Sequence, residues 1–258
     1  MSELPHYTFK YSLIHSFKYS PIHSFKIHSF HYRITSFKHY RIVMKLPKSF
    51  YTRTDVLQVS KDLLGKYLVT QIDGIRTAGK IVETEAYRGP DDQACHAKNG
   101  VRTPRTKPFY MEGGIAYVYI CYGIHHLFNV ITGEKDMPHA VLIRGIEPTE
   151  GIEDMLIRRN YEKIKPALTA GPGSAGKAFG IHKKYNTTDL QSDLIWIEDR
   201  GEVLAESDIF AGMRVGMGTA GASALLPYRF YIKGNKWVSK PLVATYFENN
   251  KFQTPNSN

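Results

Sequence analysis

Two segments of this chain carry residue types that can do chemistry. Val82-Glu83-Thr84-Glu85-Ala86-Tyr87 alternates two carboxylates and a phenol ring, and thirty residues later Tyr117-Val118-Tyr119-Ile120-Cys121-Tyr122 places three tyrosines in six residues. In a strand, residues two apart share a face. Glu83, Glu85 and Tyr87 would therefore point one way with Ile81, and Val82, Thr84 and Ala86 the other. A carboxylate beside an aromatic ring can hold a water-activating base against a stacked planar ligand. Tyr117 and Tyr119 share a face in the same way, and Tyr122 precedes Gly123, a turn signal. Each buried phenol needs a hydrogen-bond partner, which makes a tyrosine-rich strand an inefficient way to build a core. A tyrosine on a turn can instead act as a wedge that enters a base stack. Together the two segments point to nucleobase chemistry. The alternative for each alone is structural: an edge strand with its acidic face in solvent, and a buried strand rich in tyrosine.

Positioning these groups takes a domain with a sizeable core, and the 215 residues from Met44 to Asn258 suffice for one. Thr54-Asp55 should cap an amphipathic helix carrying Val56, Val59, Leu63 and Leu64 and stopped by Gly65. Residues 66–72 and 75–87 flank Asp73-Gly74 and read as a hairpin. Residues 115–122, 139–146, 194–198 and 229–232 are further strand candidates. A helix is predicted over 149–160, with Ile152, Met155 and Leu156 inward, and a short one over 174–179. The expected fold class is α+β: a single mixed domain around a curved, largely antiparallel β-sheet with surrounding helices. No apolar run reaches the length of a membrane span.

The pieces around the two segments extend a family resemblance. Val82-Glu83-Thr84-Glu85-Ala86-Tyr87-x-Gly89-Pro90 is followed by His96, Arg102-Thr103-Pro104-Arg105, the tyrosine segment with Gly123, Asn129 and Leu142-Ile143-Arg144-Gly145-Ile146-Glu147-Pro148. Leu168-Thr169-x-Gly171-Pro172-Gly173, Pro227-x-Arg229-Phe230-Tyr231 and Trp237-Val238-Ser239 complete the series. In this order the chain resembles the alkyladenine, or 3-methyladenine, DNA glycosylases from about Leu46 to Ser239. The resemblance implies that Glu85 is the general base, that Tyr87 and Tyr119 sandwich an extruded base, and that His96 lines its pocket. It implies further that Tyr122 is the wedge, that Asn129 screens against the amino group of normal guanine, and that Arg144 supports the pocket and a Glu85-bound water. The implied activity is simple hydrolysis of the glycosidic bond of 3-methyladenine, 7-methylguanine, and by extension hypoxanthine or ethenoadenine, leaving an abasic site. Lys80 and Lys98 lie near enough in sequence to be considered for a Schiff base, though nothing calls for one. The expected partner is damaged double-stranded DNA, bound by a monomer with no cofactor, no metal and no membrane. The stretch after Tyr122 varies within the family, and Thr219 stands where some members carry a histidine, so lesion preference is left open.

Composition agrees with a polyanionic partner, the formal charge being +10 and the pI about 9.4. Half of that charge lies in residues 1–43, which hold six Lys/Arg and one acid. In the remainder, Arg102, Arg105 and Lys107 are candidates for phosphate contacts, against the alternative of a solvated loop. Residues 1–43 recycle Ser-Phe-Lys with flanking His, Ile and Tyr and hold six of the eleven histidines. The phenylalanine spacings of eight, five and seven fit no solenoid. Erratic histidine spacing without cysteine argues against a metal site. The segment lacks the unbroken apolar run of a secretory signal, while a basic, serine-bearing, acid-poor presequence remains an alternative. It is read as a dispensable extension before a functional chain that starts at Met44. Residues 44–250 are the catalytic domain and residues 251–258 a polar tail.

Two further features are decoys. Gly171-Pro172-Gly173-Ser174-Ala175-Gly176 fits G-x-G-x-x-G but follows no convincing strand, which argues against a dinucleotide site, although a helix start there could face a DNA phosphate. Cys95 and Cys121, without C-x-x-C spacing, read as reduced thiols in a cytosolic, bacterial-type compartment.

Overall fold

The computed structural model describes residues 43–218 and 220–240. The readings of residues 1–42, of Thr219 and of the 251–258 tail lie outside those residues. Within them the chain runs through β1 (Met44–Lys45), α1 (Lys48–Tyr51), α2 (Val56–Asp62), β2 (Tyr67–Ile72), β3 (Ile75–Arg88), β4 (Ala116–Cys121) and β5 (His125–Thr132). It continues through β6 (His139–Glu150), α3 (Ile152–Arg159), α4 (Pro172–Ala178), β7 (Ile195–Asp199), β8 (Ile209–Gly212) and β9 (Arg229–Ile232). The local signals act as the residue chemistry requires. Asp55 caps α2, its carboxylate accepting from Leu57 N and Gln58 N at 3.0 Å each. Asp73 and Gly74 both take positive φ, the conformation a two-residue hairpin turn demands.

All strand pairs are antiparallel, in the order β1-β7-β2-β3-β6-β5-β4, and the sheet curls into a half-barrel. The mixed α+β expectation therefore holds. Strand β3 organises it, being long enough to take two partners along one edge. Its first half pairs with β2, and residues Glu83, Thr84 and Glu85 pair with β9, which the β8–β9 hairpin supplies. On its other edge β3 pairs with β6 from Ala78 to Arg88, with three register shifts, two of which compensate each other beside the acids. Ile81 opposes Ile146, Glu83 opposes Gly145 and Thr84 opposes Ile143, so Val82 and Arg144 are each left without an opposite number. Such bulges re-aim side chains and often sit beside active sites.

The two faces of the sheet are covered differently. Val82, Ala86, Val118, Phe128, Val130, Val141 and Ile143 belong to the main core with Val56, Val59 and Leu63 of the α2 region and Ala175 and Ala178 of α4. Burying each large apolar side chain there contributes about 1.5–3 kcal/mol. On the opposite face Tyr117, Ile131 and Ala140 pack against Cys95, Ala97, Phe109 and Tyr110 from the segment between β3 and β4. Tyr87 and Tyr119 lie at the margin of that second cluster.

Three expectations need correction. The helix predicted from 149 starts at Ile152, because Glu150 still pairs with Ala78 and Thr149 Oγ1 donates to Ala78 O at 3.1 Å. Gly151, with φ of +67°, makes the break; a Cβ there would lie 2.3 Å from Arg76 O. β5 was not anticipated as a strand, since Leu127 to Thr132 are buried on both faces and show no alternation. The 174–179 helix starts two residues earlier, with Pro172 in its first turn. No helix of the described residues is long and apolar enough to cross a membrane.

Gly145 marks where the sheet and the site meet. A Cβ on it would lie 2.7 Å from Trp237 O and 3.0 Å from Glu83 Oε2. Gly145→Ala is expected to lower stability by about 1–3 kcal/mol, the scale of overpacking. Equilibrium urea unfolding measures it, and wild-type stability would contradict the close approach.

Candidate active site

One row of residues crosses five strands. Arg229 of β9 opposes Glu85 of β3, Glu85 opposes Leu142 of β6, Leu142 opposes Asn129 of β5, and Asn129 opposes Tyr117 of β4. Directly opposed residues share a face. The carboxylate and the tyrosines named from sequence are therefore brought to one side of one sheet. There Tyr87, Ala94, His96, Phe109, Tyr117, Tyr119, Asn129 and Met217 line a narrow pocket of about 60 Å³. That is well below the roughly 300–1,000 Å³ of ligand-filled cavities.

Glu85 lies beneath this pocket, fully buried. One oxygen, Oε1, accepts from Val215 N at 2.8 Å and stands 3.2 Å from Arg144 Nη1. The other, Oε2, accepts the Tyr87 hydroxyl at 2.8 Å. A carboxylate has about four lone-pair positions, so Oε2 keeps one for a further donor. Burial and the neighbouring Glu85 carboxylate push the Tyr87 phenol well above its ordinary pKa, which keeps it a donor. Arg214 backs the arrangement. It donates to Ala86 O at 2.9 Å, pairs with Asp92, and stacks its guanidinium 4.9 Å from the Tyr87 ring.

The second carboxylate has a different environment. Glu83, also fully buried, accepts from Arg144 Nε at 2.9 Å, Arg229 Nε at 2.7 Å, Ser239 N at 2.7 Å and Ser239 Oγ at 2.8 Å. The solvent-facing edge-strand alternative is excluded, since neither acid reaches water.

The aromatic wall is organised by hydrogen bonds and ring contacts. Tyr117 and Tyr119 stack with centroids 5.5 Å apart, and the His96 ring meets Tyr119 edge-on at 4.7 Å. Arg105 Nη2 donates to His96 Nε2 at 2.9 Å. An arginine can only donate, so Nε2 is unprotonated and Nδ1 carries the proton toward the Tyr117 oxygen, 3.0 Å away. Asn129 is fixed by Nδ2 donation to Tyr117 O at 3.1 Å. Tyr122 stands apart at the tip of the β4–β5 hairpin, 90% exposed, with φ of +49°. Positive φ at Tyr122 and Gly123 closes the β4–β5 hairpin, as it does at Asp73-Gly74.

The remaining sequence-named residues divide. Arg105 joins the pocket wall, 5.4 Å from the Tyr119 ring, and exposed Arg102 pairs with Asp136 at 2.8 Å. Lys107 is exposed in a short 3₁₀ turn. Lys80 pairs with Glu147 and Glu202, and neither it nor Lys98 lines the pocket. The glycine-rich stretch follows a 3₁₀ turn rather than a strand, so the dinucleotide context is missing. Cys95 is buried, which pushes its thiol up to about 12. Sequence reasoning missed Val215, Arg214 and Met217 as site residues, along with the place of Tyr117 in the pocket lining. Only Tyr117 had a readable signal, its shared face with Tyr119.

Burial and the Arg105 charge lower the His96 pKa from 6.5 to about 4. Between those values the unfolded chain binds more protons at this position, so stability is lost as pH falls from 6.5 toward 4. His96→Gln is expected to lose less melting temperature than wild type over that window. Parallel pH–melting curves would contradict a neutral His96.

The sequence pattern of the methylpurine-DNA glycosylase family matches residues 49–236. A Chlamydia abortus protein bearing the name 3-methyladenine DNA glycosylase is 48% identical over 188 residues, covering 72% of this chain and 97% of its own length. Proteins of the same name from Clostridium perfringens and Bacillus cereus are each 45% identical over 205 residues, covering 76% of this chain and all of their own. The match spans β3, the tyrosine hairpin and the Glu83–Arg144–Glu85 cluster, and the chain belongs to the methylpurine-DNA glycosylase family as a DNA glycosylase.

Proposed function

We propose that this enzyme excises positively charged alkylated purines, 3-methyladenine and 7-methylguanine, by turning them out of duplex DNA and hydrolysing the glycosidic bond with a water directed by Glu85. The observation that carries this reading is a buried carboxylate, Glu85, joined by the Tyr87 hydroxyl to a pocket walled by aromatic rings. Water cannot reach the sugar carbon of a stacked nucleotide, and extrusion takes a few kcal/mol, least for a damaged base. Tyr122, exposed on its hairpin tip, is the side chain placed to fill the gap. The extruded ring then stacks on the tyrosines, at about 1–3 kcal/mol per base. A cationic purine gains further from the faces of Tyr87 and Tyr119.

The chemistry follows from the charges. As the C1′–N bond breaks, its electron pair passes to the base and neutralises the alkylation charge. Positive charge moves onto the sugar, where ionised Glu85 stabilises it. The water oxygen bonds to C1′ and its proton passes to Glu85. Neutral lesions such as hypoxanthine or ethenoadenine need an added proton. His96 is a poor source, because its Nε2 is held as an acceptor by Arg105. Release of neutral lesions should accordingly be slower.

Lys177, His182 and Lys183 flank a groove that also contains Ile124 and His125 of the wedge hairpin. With Arg102 paired to Asp136 and Arg105 on His96, Lys177 and Lys183 add to Lys107 as phosphate contacts beside the wedge.

Chromatographic identification of bases released from methylated duplex DNA tests the reading. Wild type should free 3-methyladenine and 7-methylguanine and leave abasic sites without strand cleavage. Tyr122→Ala should lose release and the fluorescence change of a flipped base analogue while keeping its fold. Tight lesion binding with no base release by wild type would instead establish a damage-binding protein.

A further inference from the structure

Glu83 is one alternation from Glu85 in sequence yet touches nothing that a base or water could reach. Its Oε1 takes Arg144 Nε, Arg229 Nε and Ser239 Oγ, and its Oε2 takes Ser239 N. Two buried guanidiniums thus converge on one carboxylate oxygen. Arg144 is gripped at two points, through Nε by Glu83 and through Nη2 by Ser239 Oγ at 3.2 Å. Those anchors fix the guanidinium plane, leaving Nη1 as the edge turned to Glu85, at 3.2 Å. That is a looser contact than the 2.9 Å on Glu83. Arg144 faces two carboxylates, pairing with both while its hydrogen bond goes to Glu83, the one that is not proposed to react.

We propose, resting on the glycosylase reading above, that Glu83 is a positioning residue for the reaction: it withholds Arg144 from Glu85, so that Glu85 keeps a lone pair for the attacking water. Were the charge on Glu83 removed, Glu85 would be the remaining anion beside Arg144. The arginine would close onto Glu85 as a two-point pair, covering the oxygen the water needs. Other groups around Glu85 would stay in place: Tyr87 from its own strand, Val215 N and Arg214 from the segment after β8, and Tyr119 from β4. Glu83 itself faces Arg229 and Tyr231 of β9 besides Arg144 and Ser239. A Glu83 that serves only to hold the fold predicts lower stability with unchanged chemistry in the molecules that remain folded.

The test is single-turnover release of 3-methyladenine across a pH series, with lesion-DNA affinity measured on the same preparations. Glu83→Gln should slow release roughly a hundredfold, the scale on which misplacement by about 1 Å acts. Lesion affinity should stay at the wild-type value, and the acid limb of the rate profile should move to lower pH, because the cation then rests on Glu85. Glu83→Asp, which keeps the charge, should recover part of the rate. Ser239→Ala removes one anchor of Arg144 without altering charge, and carries the test if Glu83→Gln fails to fold. It should slow release with affinity intact. A folded Glu83→Gln with wild-type rate and pH profile, or an unaltered rate in Ser239→Ala when that variant is the test, would overturn the proposal. Wild type that releases no base would overturn the glycosylase reading itself, and this inference with it.

Discussion

Two fully buried carboxylates on one strand constrain how this fold can close. An ion taken out of water loses several kcal/mol of solvation even after the protein relaxes, and recovers it only through close, well-directed partners. Glu83 and Glu85 lie on one strand, both fully buried, and Arg144 lies between them. Removing one member of such a cluster leaves an uncompensated charge, at roughly 3–5 kcal/mol. The same cluster recruits elements far apart in the chain. β9 supplies Arg229, the stretch after it Ser239, the segment after β8 Val215, and β6 the bulged Arg144. Satisfying two acids thus fixes where four segments must meet. It also leaves one acid saturated and the other with spare capacity.

That asymmetry is what the aromatic pocket exploits. The Tyr87 hydroxyl links the less saturated carboxylate to a ring surface, and Tyr117, Tyr119 and His96 extend that surface across the sheet. Curvature brings the wall together, while the β4–β5 hairpin that carries two of its rings also presents Tyr122 to solvent. The aromatic wall, Glu85 and Tyr122 therefore share one framework of strands. A buried carboxylate joined to an aromatic pocket is suited to stabilising charge that develops only as a bond breaks.

Much of this was legible in the chain. Asp55 capped α2, which ends at Asp62 instead of carrying Leu63 and Leu64 on to Gly65, and Asp73-Gly74 fixed the hairpin that leads into β3. Period-two alternation put Glu83, Glu85 and Tyr87 on one side, and the turn at Tyr122-Gly123 leaves Tyr122 exposed. Alternation alone could not separate the roles of the two acids, because it is blind to bulges, and the bulge at Arg144 helps decide which acid is saturated. Arg214–Asp92 and Val215–Glu85 join residues more than a hundred positions apart, a distance over which local pattern carries no information. β5 was hidden for the opposite reason, its two buried faces erasing the period. Arg105 looked like a phosphate contact because arginine in a polar loop commonly is one; only the fold shows it resting on His96.

The account turns on Glu85 acting as the ionised base of a hydrolysis. Glu85→Gln keeps the shape of the side chain, removes its charge, and can be followed by single-turnover base release and lesion-DNA binding in parallel. The account predicts release at least roughly a hundredfold slower, the scale on which a positioned general base contributes, with binding retained. A Glu85→Gln enzyme that releases 3-methyladenine at the wild-type rate would contradict it.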